Sequence, residues 1–230
     1  MRLKDLREEV LEANLELVRR GLVLYTFGNA SGIDRREGLV VIKPSGVNYE
    51  TMKPEDLVVV DLDGRTVDGF LRPSSDLPTH IILYRSFSAI GGIAHSHSRC
   101  ATAWAQAQRE IPCFGTTHAD YFHGSVPVTK PLSPREIKKN YEQNTGLAIL
   151  RCMKRRDPLH HPGVLVAGHA PFCWGASPAE AAHNAVVVEE IAAMASETLR
   201  ANPRARPISK VLHEKHFFRK HGSTAYYGQK

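Results

Sequence analysis

The sequence predicts an α/β fold with three layers, in which helices cover both faces of a mixed, mainly antiparallel central sheet. Short apolar segments, typical of strands, interleave irregularly with amphipathic segments of helical periodicity. Several strands follow one another through tight turns, as at Asp63-Gly64, which favours antiparallel hairpins over a doubly wound parallel sheet. The 230 residues contain no repeat and no linker, so we expect one domain over residues 1–230.

The helices are predicted from apolar periodicity and from cap residues at their starts. The first is amphipathic, with Leu6, Val10 and Leu15 among its apolar positions. Ser133-Pro134 and Ser177-Pro178 begin two others, because serine is a good N-cap and proline suits the first helical turn. The predicted helices span residues 3–20, 74–87, 98–108, 133–154, 177–200 and 209–220.

The strands are predicted from short apolar runs that end at glycine, proline or polar residues. The segment GGIAHSH reads as a strand that leads directly into a helix opened by Ser98. The predicted strands are residues 22–26, residues 38–46 with a turn at their end, a hairpin over residues 56–67, and residues 91–97 and 163–169.

Composition limits the classes of protein to which the chain can belong. No apolar run approaches the roughly 18–20 residues that would span a bilayer. The N-terminal residues alternate charges and lack an apolar signal core, so we expect a cytoplasmic protein. None of the four cysteines forms a C-x-x-C pair, and we interpret them as free thiols packed as small hydrophobic groups.

The formal net charge is +6, and much of it lies in residues 199–222. A basic segment of this kind binds nucleic acid in some proteins and is a solvated helix in many others. An excess of positive charge also suits an enzyme that attracts phosphorylated substrates. Composition alone leaves these interpretations open.

Three histidines lie at predicted strand ends. His95 and His97 are two residues apart, and residues i and i+2 of a strand point to the same face. His169 ends a second apolar strand. Three imidazoles with an open fourth position are typical of a catalytic zinc site. The alternative is that these are structural histidines, since the chain has 12 histidines in all.

Polar turns provide further candidate site residues. The segments FGNASG, IKPSG and PSSD supply backbone N–H groups, hydroxyls and the Lys43 ammonium, which together can hold a phosphate. The alternative for PSSD is an ordinary helix N-cap. The segment TTHADYFHG contains His118, Asp120 and Tyr121, whose side chains can transfer protons or can simply stabilise a loop.

Taken together, these motifs identify a family resemblance that covers nearly the whole chain. The matching segments are GNASG, IKPSG, PSSD, HSHSRCATAWA, GTTHADYFHG, GHAPFCWG and the ending HFFRKHGSTAYYGQ. They closely resemble the L-ribulose-5-phosphate 4-epimerases of the class II aldolase superfamily. The resemblance implies an isomerase that interconverts L-ribulose 5-phosphate and D-xylulose 5-phosphate by breaking and remaking the C3–C4 bond.

The resemblance also implies the roles of individual residues. Asp120 and Tyr227 would transfer protons on opposite faces of the substrate, and Asp76 would be a further metal ligand or an acid/base group. The implied divalent metal is Zn²⁺, with Mn²⁺ or Co²⁺ as alternatives, held by His95, His97, His169 and Asp76. The implied substrate-binding residues are Asn29, Lys43, Ser45, Gly46, Ser74, Ser75, His216 and Arg219.

A cyclic homotetramer with active sites between subunits is implied as well. Tyr227, His216 and Arg219 would come from a neighbouring subunit.

Two other functions compete with this interpretation. A class II phosphoketose aldolase of the fuculose- or rhamnulose-phosphate type would release its fragments, and it is expected to carry glutamate where this chain has Asp76. A nucleic-acid-binding protein would use the basic C-terminal segment, but HFFRKHG is short and rich in histidine.

Overall fold

The computed structural model describes residues 2–222 and 225–227 of the chain. A seven-stranded sheet lies at its centre, with the strand order β4-β3-β2-β1-β5-β7-β6, and every neighbouring pair is antiparallel. The antiparallel sheet agrees with the sequence prediction. The strands are β1 (Asn29–Asp34), β2 (Leu39–Ile42), β3 (Val58–Asp61), β4 (Thr66–Asp68), β5 (Gly92–His95), β6 (Gly163–Leu165) and β7 (Pro171–Gly175).

Helices occupy both sides of this sheet. A short 3₁₀ helix, Pro54–Asp56, precedes β3. The α-helices are α1 (Lys4–Arg19), α2 (Leu77–Ser86), α3 (Arg99–Gln106), α4 (Thr116–Ala119), α5 (Pro134–Lys138), α6 (Tyr141–Met153), α7 (Pro178–Ala201) and α8 (Lys210–Lys220). The serines predicted as N-caps of α5 and α7 accept hydrogen bonds from Glu136 and Glu180, as capping requires.

Two separate apolar cores result from the alternation of side chains along the strands. Val41 and Val59 face one core, which α1, α3 and α7 cover. Val40, Val58 and Val60 face the other core, which includes residues of α2 and α6. Because successive strand residues point to opposite faces, a strand buried on both sides reads as a continuous apolar run. The three-layer α/β/α prediction is therefore confirmed.

The predicted strand at residues 22–26 is wrong. The chain there is irregular and then turns at Tyr25-Thr26, with Tyr25 in the left-handed region at φ 54°. Leu22 and Val23 are buried, whereas Leu24 and Tyr25 are 66% and 86% exposed. The apolar run thus reflects two core residues followed by a loop at the rim of the cavity described below.

The sequence prediction missed two central strands, β1 and β7. β1 reads NASGID and begins inside a segment interpreted as a polar turn. Its small residues are needed because a side chain at Gly32 would run into Leu6, Val10 and Pro178. The strand predicted over residues 163–169 ends at Leu165, and the chain turns there and returns as β7.

The single helix predicted over residues 133–154 is two helices. Asn140 takes the left-handed conformation, with φ 59° and ψ 51°, and separates α5 from α6. The Asn144 amide secures the break by donating to the carbonyls of Glu136 and Lys139, at 3.0 and 2.7 Å. Asparagine tolerates this backbone conformation better than most residues do.

The four cysteines are free thiols, as predicted. Cys113 and Cys173 are buried, and burial raises the pKa of the Cys113 thiol to about 11. Within residues 2–222 and 225–227, no helix combines the length and the hydropathy needed to cross a membrane.

The close contact between β5 and the start of α7 leads to a prediction about stability. A Cβ atom at Gly92 would overlap the backbone of Ser177 and Pro178. We expect Gly92→Ala to lower the free energy of unfolding by about 2 kcal/mol or more, measured by urea denaturation, because backbone cannot move aside as a flexible side chain can. Gly115→Ala is the matched control, because a Cβ atom there meets nothing within 4 Å. Equal stability of the two variants would contradict this description of the contact.

Candidate active site

Three histidines converge at one end of the central strands. His95 is the last residue of β5, His97 follows it after Ser96, and His169 lies in the turn between β6 and β7. Their ring centroids are 4.9 to 5.0 Å apart. One ligand nitrogen from each lies within 4.8 Å of the others, and the Nε2 atoms of His97 and His169 are 3.2 Å apart. The three predicted ligands therefore come together, although only His95 is part of a strand.

The ring nitrogens are arranged as a metal site requires. The Nδ1 atom of His95 is 2.9 Å from the carbonyl oxygen of Pro171, which can only accept a hydrogen bond. Nδ1 therefore carries the proton, and the lone pair of Nε2 remains available. Burial, and then the neighbouring imidazoles, lower the pKa of His169 to about 4 and keep the pKa of His97 below its ordinary value. Neutral imidazoles at pH 7 fit a divalent cation.

Asp76 faces the histidines and does not cap the helix that it precedes. It occupies the N-cap position of α2 but makes no side-chain capping bond. Its Oδ2 atom accepts from the Asn29 amide at 2.7 Å and lies 3.9 Å from Nε2 of His95. Burial raises the pKa of Asp76, but the neighbouring His95 and His80 and the hydrogen bond from Asn29 outweigh that effect and leave this pKa below its usual value. The carboxylate is therefore ionised and available to a cation.

The register of the sheet brings Asn29 to the same place. Asn29 begins β1 and lies directly opposite His95 in the β1–β5 pairing. Its amide nitrogen also donates to Ser74 Oγ at 3.0 Å, while its Oδ1 is buried and has no partner among the described residues. A buried acceptor without a donor is costly, which suggests that a ligand group or a water molecule satisfies it.

Two of the three predicted phosphate-binding segments, IKPSG and PSSD, lie side by side. The backbone N–H of Ser74 donates to the carbonyl of Lys43 at 2.9 Å, and the N–H of Ser45 donates to the carbonyl of Arg72 at 2.9 Å. The turns border a cavity of about 520 Å³ that the histidines also line. The predicted site residues that line this cavity are Asn29, Lys43, Ser45, Gly46, Ser74, Ser75, Asp76, His95, His97 and His169.

Lys43 carries the only ammonium group among the residues that line this cavity in the described part of the chain. The side chain is buried, and its Nζ donates to the carbonyls of Pro44 and Val47 at 3.2 and 3.0 Å. Its Nζ also lies 4.5 Å from the centroid of the Tyr49 ring. Burial lowers the pKa of Lys43 to about 8, so that it stays mainly charged at pH 7 and an anion in the cavity would favour this charge further.

The remaining four predicted residues form a second group, the C-terminal cluster, which consists of Asp120, His216, Arg219 and Tyr227. The Asp120 carboxylate accepts from His216 Nδ1 at 3.0 Å and from Arg219 Nη2 at 2.6 Å. The guanidinium of Arg219 stacks on the Tyr227 ring, 4.7 Å from its centroid. Asp120 and Tyr227 border a separate cavity of about 370 Å³, and none of the four lines the histidine cavity of the described chain.

The charge balance of the C-terminal cluster keeps Asp120 ionised. Burial raises the pKa of this carboxyl, but the hydrogen bonds from Arg219 and His216 outweigh it, and the pKa lies below its usual value. Lys220 adds a further positive charge, with Nζ 3.6 Å from Asp120 Oδ2. The four predicted residues of the C-terminal cluster therefore lie together within a single chain.

Several cavity residues were not predicted as site residues. The largest are Tyr141 and Glu142, which begin α6, and Phe27, which lies on the loop before β1. A signal for the first two exists in the sequence, because Asn140 can end one helix and begin another. Phe27 belongs to the predicted FGNASG segment, but nothing in the sequence marks its side chain as part of the site.

Comparisons with known proteins agree with this arrangement. Residues 8–196 match the family model described as the class II aldolase and adducin N-terminal domain. The chain is 54% identical to the L-ribulose-5-phosphate 4-epimerase UlaF of Salmonella paratyphi B and to that of Salmonella typhi, in each case over 99% of this chain and 100% of the relative.

A solved structure of similar architecture is an L-fuculose 1-phosphate aldolase. Its identity to this chain is 25% and its TM-score is 0.80, with 94% of this chain and 96% of the aldolase covered. The chain, which is 54% identical along nearly its whole length to the two L-ribulose-5-phosphate 4-epimerases named above, therefore belongs to the class II aldolase and adducin N-terminal domain family.

Proposed function

We propose that this chain is a metal-dependent epimerase that interconverts L-ribulose 5-phosphate and D-xylulose 5-phosphate. The observation that supports this most directly is the shared cavity, in which three converging imidazoles lie beside an ionised carboxylate and a buried lysine. The 54% identity to proteins named L-ribulose-5-phosphate 4-epimerase supports the same substrate. A single catalytic domain and a cytoplasmic location remain predictions from the sequence.

The stereochemical problem explains why the proposed reaction breaks a carbon–carbon bond. The C4 hydrogen of the ketose is β to the carbonyl, so it is not acidic enough for direct removal and return. Removal of the C4 hydroxyl proton instead lets the C3–C4 bond break, giving the enediolate of dihydroxyacetone and glycolaldehyde phosphate. Rotation of the aldehyde and renewed addition of the enediolate carbon give the opposite configuration at C4.

His95, His97 and His169 would hold the divalent cation, and Asp76 would be either a fourth ligand or an acid/base group beside it. When bound, such a cation supplies Lewis-acid stabilisation for the negative charge that develops on the substrate oxygens. The orientation of His95 by the Pro171 carbonyl supports this assignment, because a fixed Nδ1–H leaves Nε2 ready for a metal.

The three polar segments FGNASG, IKPSG and PSSD would anchor the phosphate while the aldehyde rotates. Lys43 would supply the charge, and the serine hydroxyls and backbone N–H groups would supply hydrogen bonds. Without this anchor the glycolaldehyde phosphate would leave, and the reaction would end as an aldol cleavage. The residues proposed for substrate binding in this cavity are Asn29, Lys43, Ser45, Gly46, Ser74 and Ser75.

The C-terminal cluster would complete the site of a neighbouring subunit in a homotetramer. Asp120 is bonded to His216 and Arg219 of its own chain, so we infer that it enters the neighbour's site together with them. Asp120 and Tyr227 would then be the two proton-transfer groups. The cations of Arg219 and Lys220 lie 4.7 and 4.8 Å from the Tyr227 ring centroid and hold this ring close to the groups that contact Asp120.

A class II phosphoketose aldolase is the second candidate, and the structural similarity to an L-fuculose 1-phosphate aldolase favours it. Asp76 in place of the expected glutamate and the 54% identity to named epimerases favour the epimerase. The two differ in a measurable way, since an aldolase would accumulate free glycolaldehyde phosphate from L-ribulose 5-phosphate.

We predict that His97→Ala loses both the bound metal and the epimerase activity. The measurements are metal content of the purified protein and formation of D-xylulose 5-phosphate from L-ribulose 5-phosphate, with and without a chelator. His183→Ala, which changes an exposed histidine outside the cavity, is the control for metal content. Activity that is insensitive to the chelator, or full metal content in His97→Ala, would refute the metal assignment.

We predict that a variant of the histidine cavity and a variant of the C-terminal cluster, each nearly inactive alone, recover epimerase activity when they assemble into one oligomer. When His97→Ala and Asp120→Asn chains are co-expressed and assemble at random, roughly a quarter of the sites should be active. In those sites an intact histidine cavity meets an intact C-terminal cluster of the neighbouring subunit. Co-expression of His97→Ala with Lys43→Met is the control, since both defects lie in the pocket. Recovery no greater than in this control would contradict a site shared between subunits.

We predict that Lys43→Met changes how stability depends on pH. The pKa of Lys43 is about 8 in the folded protein and 10.5 ordinarily, so the unfolded chain binds more protons at intermediate pH and the stability of the parent rises from pH 8 to 10.5. The free energy of unfolding of the parent minus that of the variant should rise by about 2 kcal/mol between pH 7 and 9.5, measured by urea denaturation. Lys138→Met, at an exposed site, should show no such trend. A difference that does not change with pH would show that burial does not perturb Lys43.

A further inference from the structure

The break between α5 and α6 brings a tyrosine to the metal-binding end of the cavity. Because Asn140 adopts the left-handed conformation, α6 begins at Tyr141, and this residue lines the cavity with the three histidines. Thr145 donates from Oγ1 to the Tyr141 carbonyl at 3.0 Å and holds the first turn of the helix in place. An uninterrupted helix would not begin at this point, so the break determines where the phenol lies.

The phenol contacts one histidine of the three. The Tyr141 hydroxyl oxygen is 3.2 Å from Nδ1 of His169, and the two ring centroids are 6.0 Å apart. The other nitrogen of that imidazole, Nε2, faces Nε2 of His97. His169 therefore has one nitrogen directed toward the other histidines and one directed toward Tyr141.

These contacts define which nitrogen would carry the proton when a cation is bound. If Nε2 of His169 offers its lone pair, Nδ1 must carry the hydrogen, and the Tyr141 oxygen accepts it. His95 uses the same scheme with the Pro171 carbonyl as acceptor. His169 lies in a turn that follows Gly168 at φ 71°, and its hydrogen-bond partner is a side chain rather than the backbone.

We propose that Tyr141 is a positioning residue that fixes the tautomer and the orientation of His169 as a metal ligand. The proposal rests on the metal site of the proposed function. A hydrogen-bond partner behind a ligating histidine commonly changes metal affinity by roughly 10–100-fold when it is removed. Tyr141 acts through His169 and is not itself assigned a proton transfer.

The test is metal affinity of the full-length protein, measured by competition between a chelator and Tyr141→Phe loaded with Zn²⁺. We expect dissociation constants roughly 10–100-fold higher than those of the parent. The visible absorption of the Co²⁺-substituted protein should also change, because the orientation of one ligand is no longer fixed. Asn144→Ala is the matched control: it removes the hydrogen bonds that secure the break before α6 but keeps the phenol, and its Zn²⁺ affinity should equal that of the parent.

The outcomes separate this inference from the proposed function. A parent protein that does not bind Zn²⁺ or Co²⁺ would overturn the metal site itself. A parent that binds metal, with equal affinity and an unchanged Co²⁺ spectrum in Tyr141→Phe, would overturn only the role of Tyr141. Equal losses of affinity in Tyr141→Phe and Asn144→Ala would also overturn it, because they would trace the effect to the helix start.

Discussion

The pairing of β5 with β1 and β7 is the constraint on which the candidate site depends. His95 lies opposite Asn29 on one side and opposite Phe172 on the other, and its ring stacks on Phe172 with the centroids 4.1 Å apart. Backbone hydrogen bonds on both sides therefore fix the first of the three histidines that would bind the metal. Shifting the register by one residue would direct His95 to the opposite face of the sheet. The close contact of Gly92 with the start of α7 limits such a shift.

The histidine cavity contains charged groups whose burial is energetically unfavourable. Asp76 occupies a helix N-cap position without capping, and Lys43 is buried away from any carboxylate partner that the described residues provide. Burial disfavours the charged form of both groups. For Asp76, neighbouring charges and the hydrogen bond from Asn29 outweigh this effect, whereas the pKa of Lys43 remains lowered. Unfavourable arrangements of this kind are typical of functional sites, where a ligand supplies the missing interactions.

The C-terminal cluster, which would complete the proposed site, is already assembled within one chain. Phe217 of α8 is fully buried, and its ring lies 4.9 Å from that of His123 and 5.1 Å from that of His160. This packing holds α8 against the body of the protein, so that Arg219 reaches Asp120 and Tyr227. The proposed reaction would then require assembly, because the C-terminal cluster and the histidine cavity of a single chain are separate. Basic residues of the C-terminal segment, such as Arg219 and Lys220, therefore make contacts within the chain.

The sequence by itself determined the fold class, most helices and the identity of the candidate site residues. Periodicity and capping residues are local signals, so α1, α7 and α8 follow from them closely. The three histidines and the polar turns were also recognisable, because each motif is contiguous. The sequence could not reveal β1 as a strand, since its small residues are selected by the packing of α1 and α7 against it.

Only the tertiary structure decided which of these residues meet. Ten of the predicted residues share one cavity and four form the C-terminal cluster, and this division depends on strand order and on the position of α8. Asn140 marks a possible break in the sequence, but only the structure shows that it adopts the left-handed conformation and places Tyr141 at the cavity. Local sequence fixes the conformations available to each segment, whereas long-range packing selects among them and sets the distances between side chains.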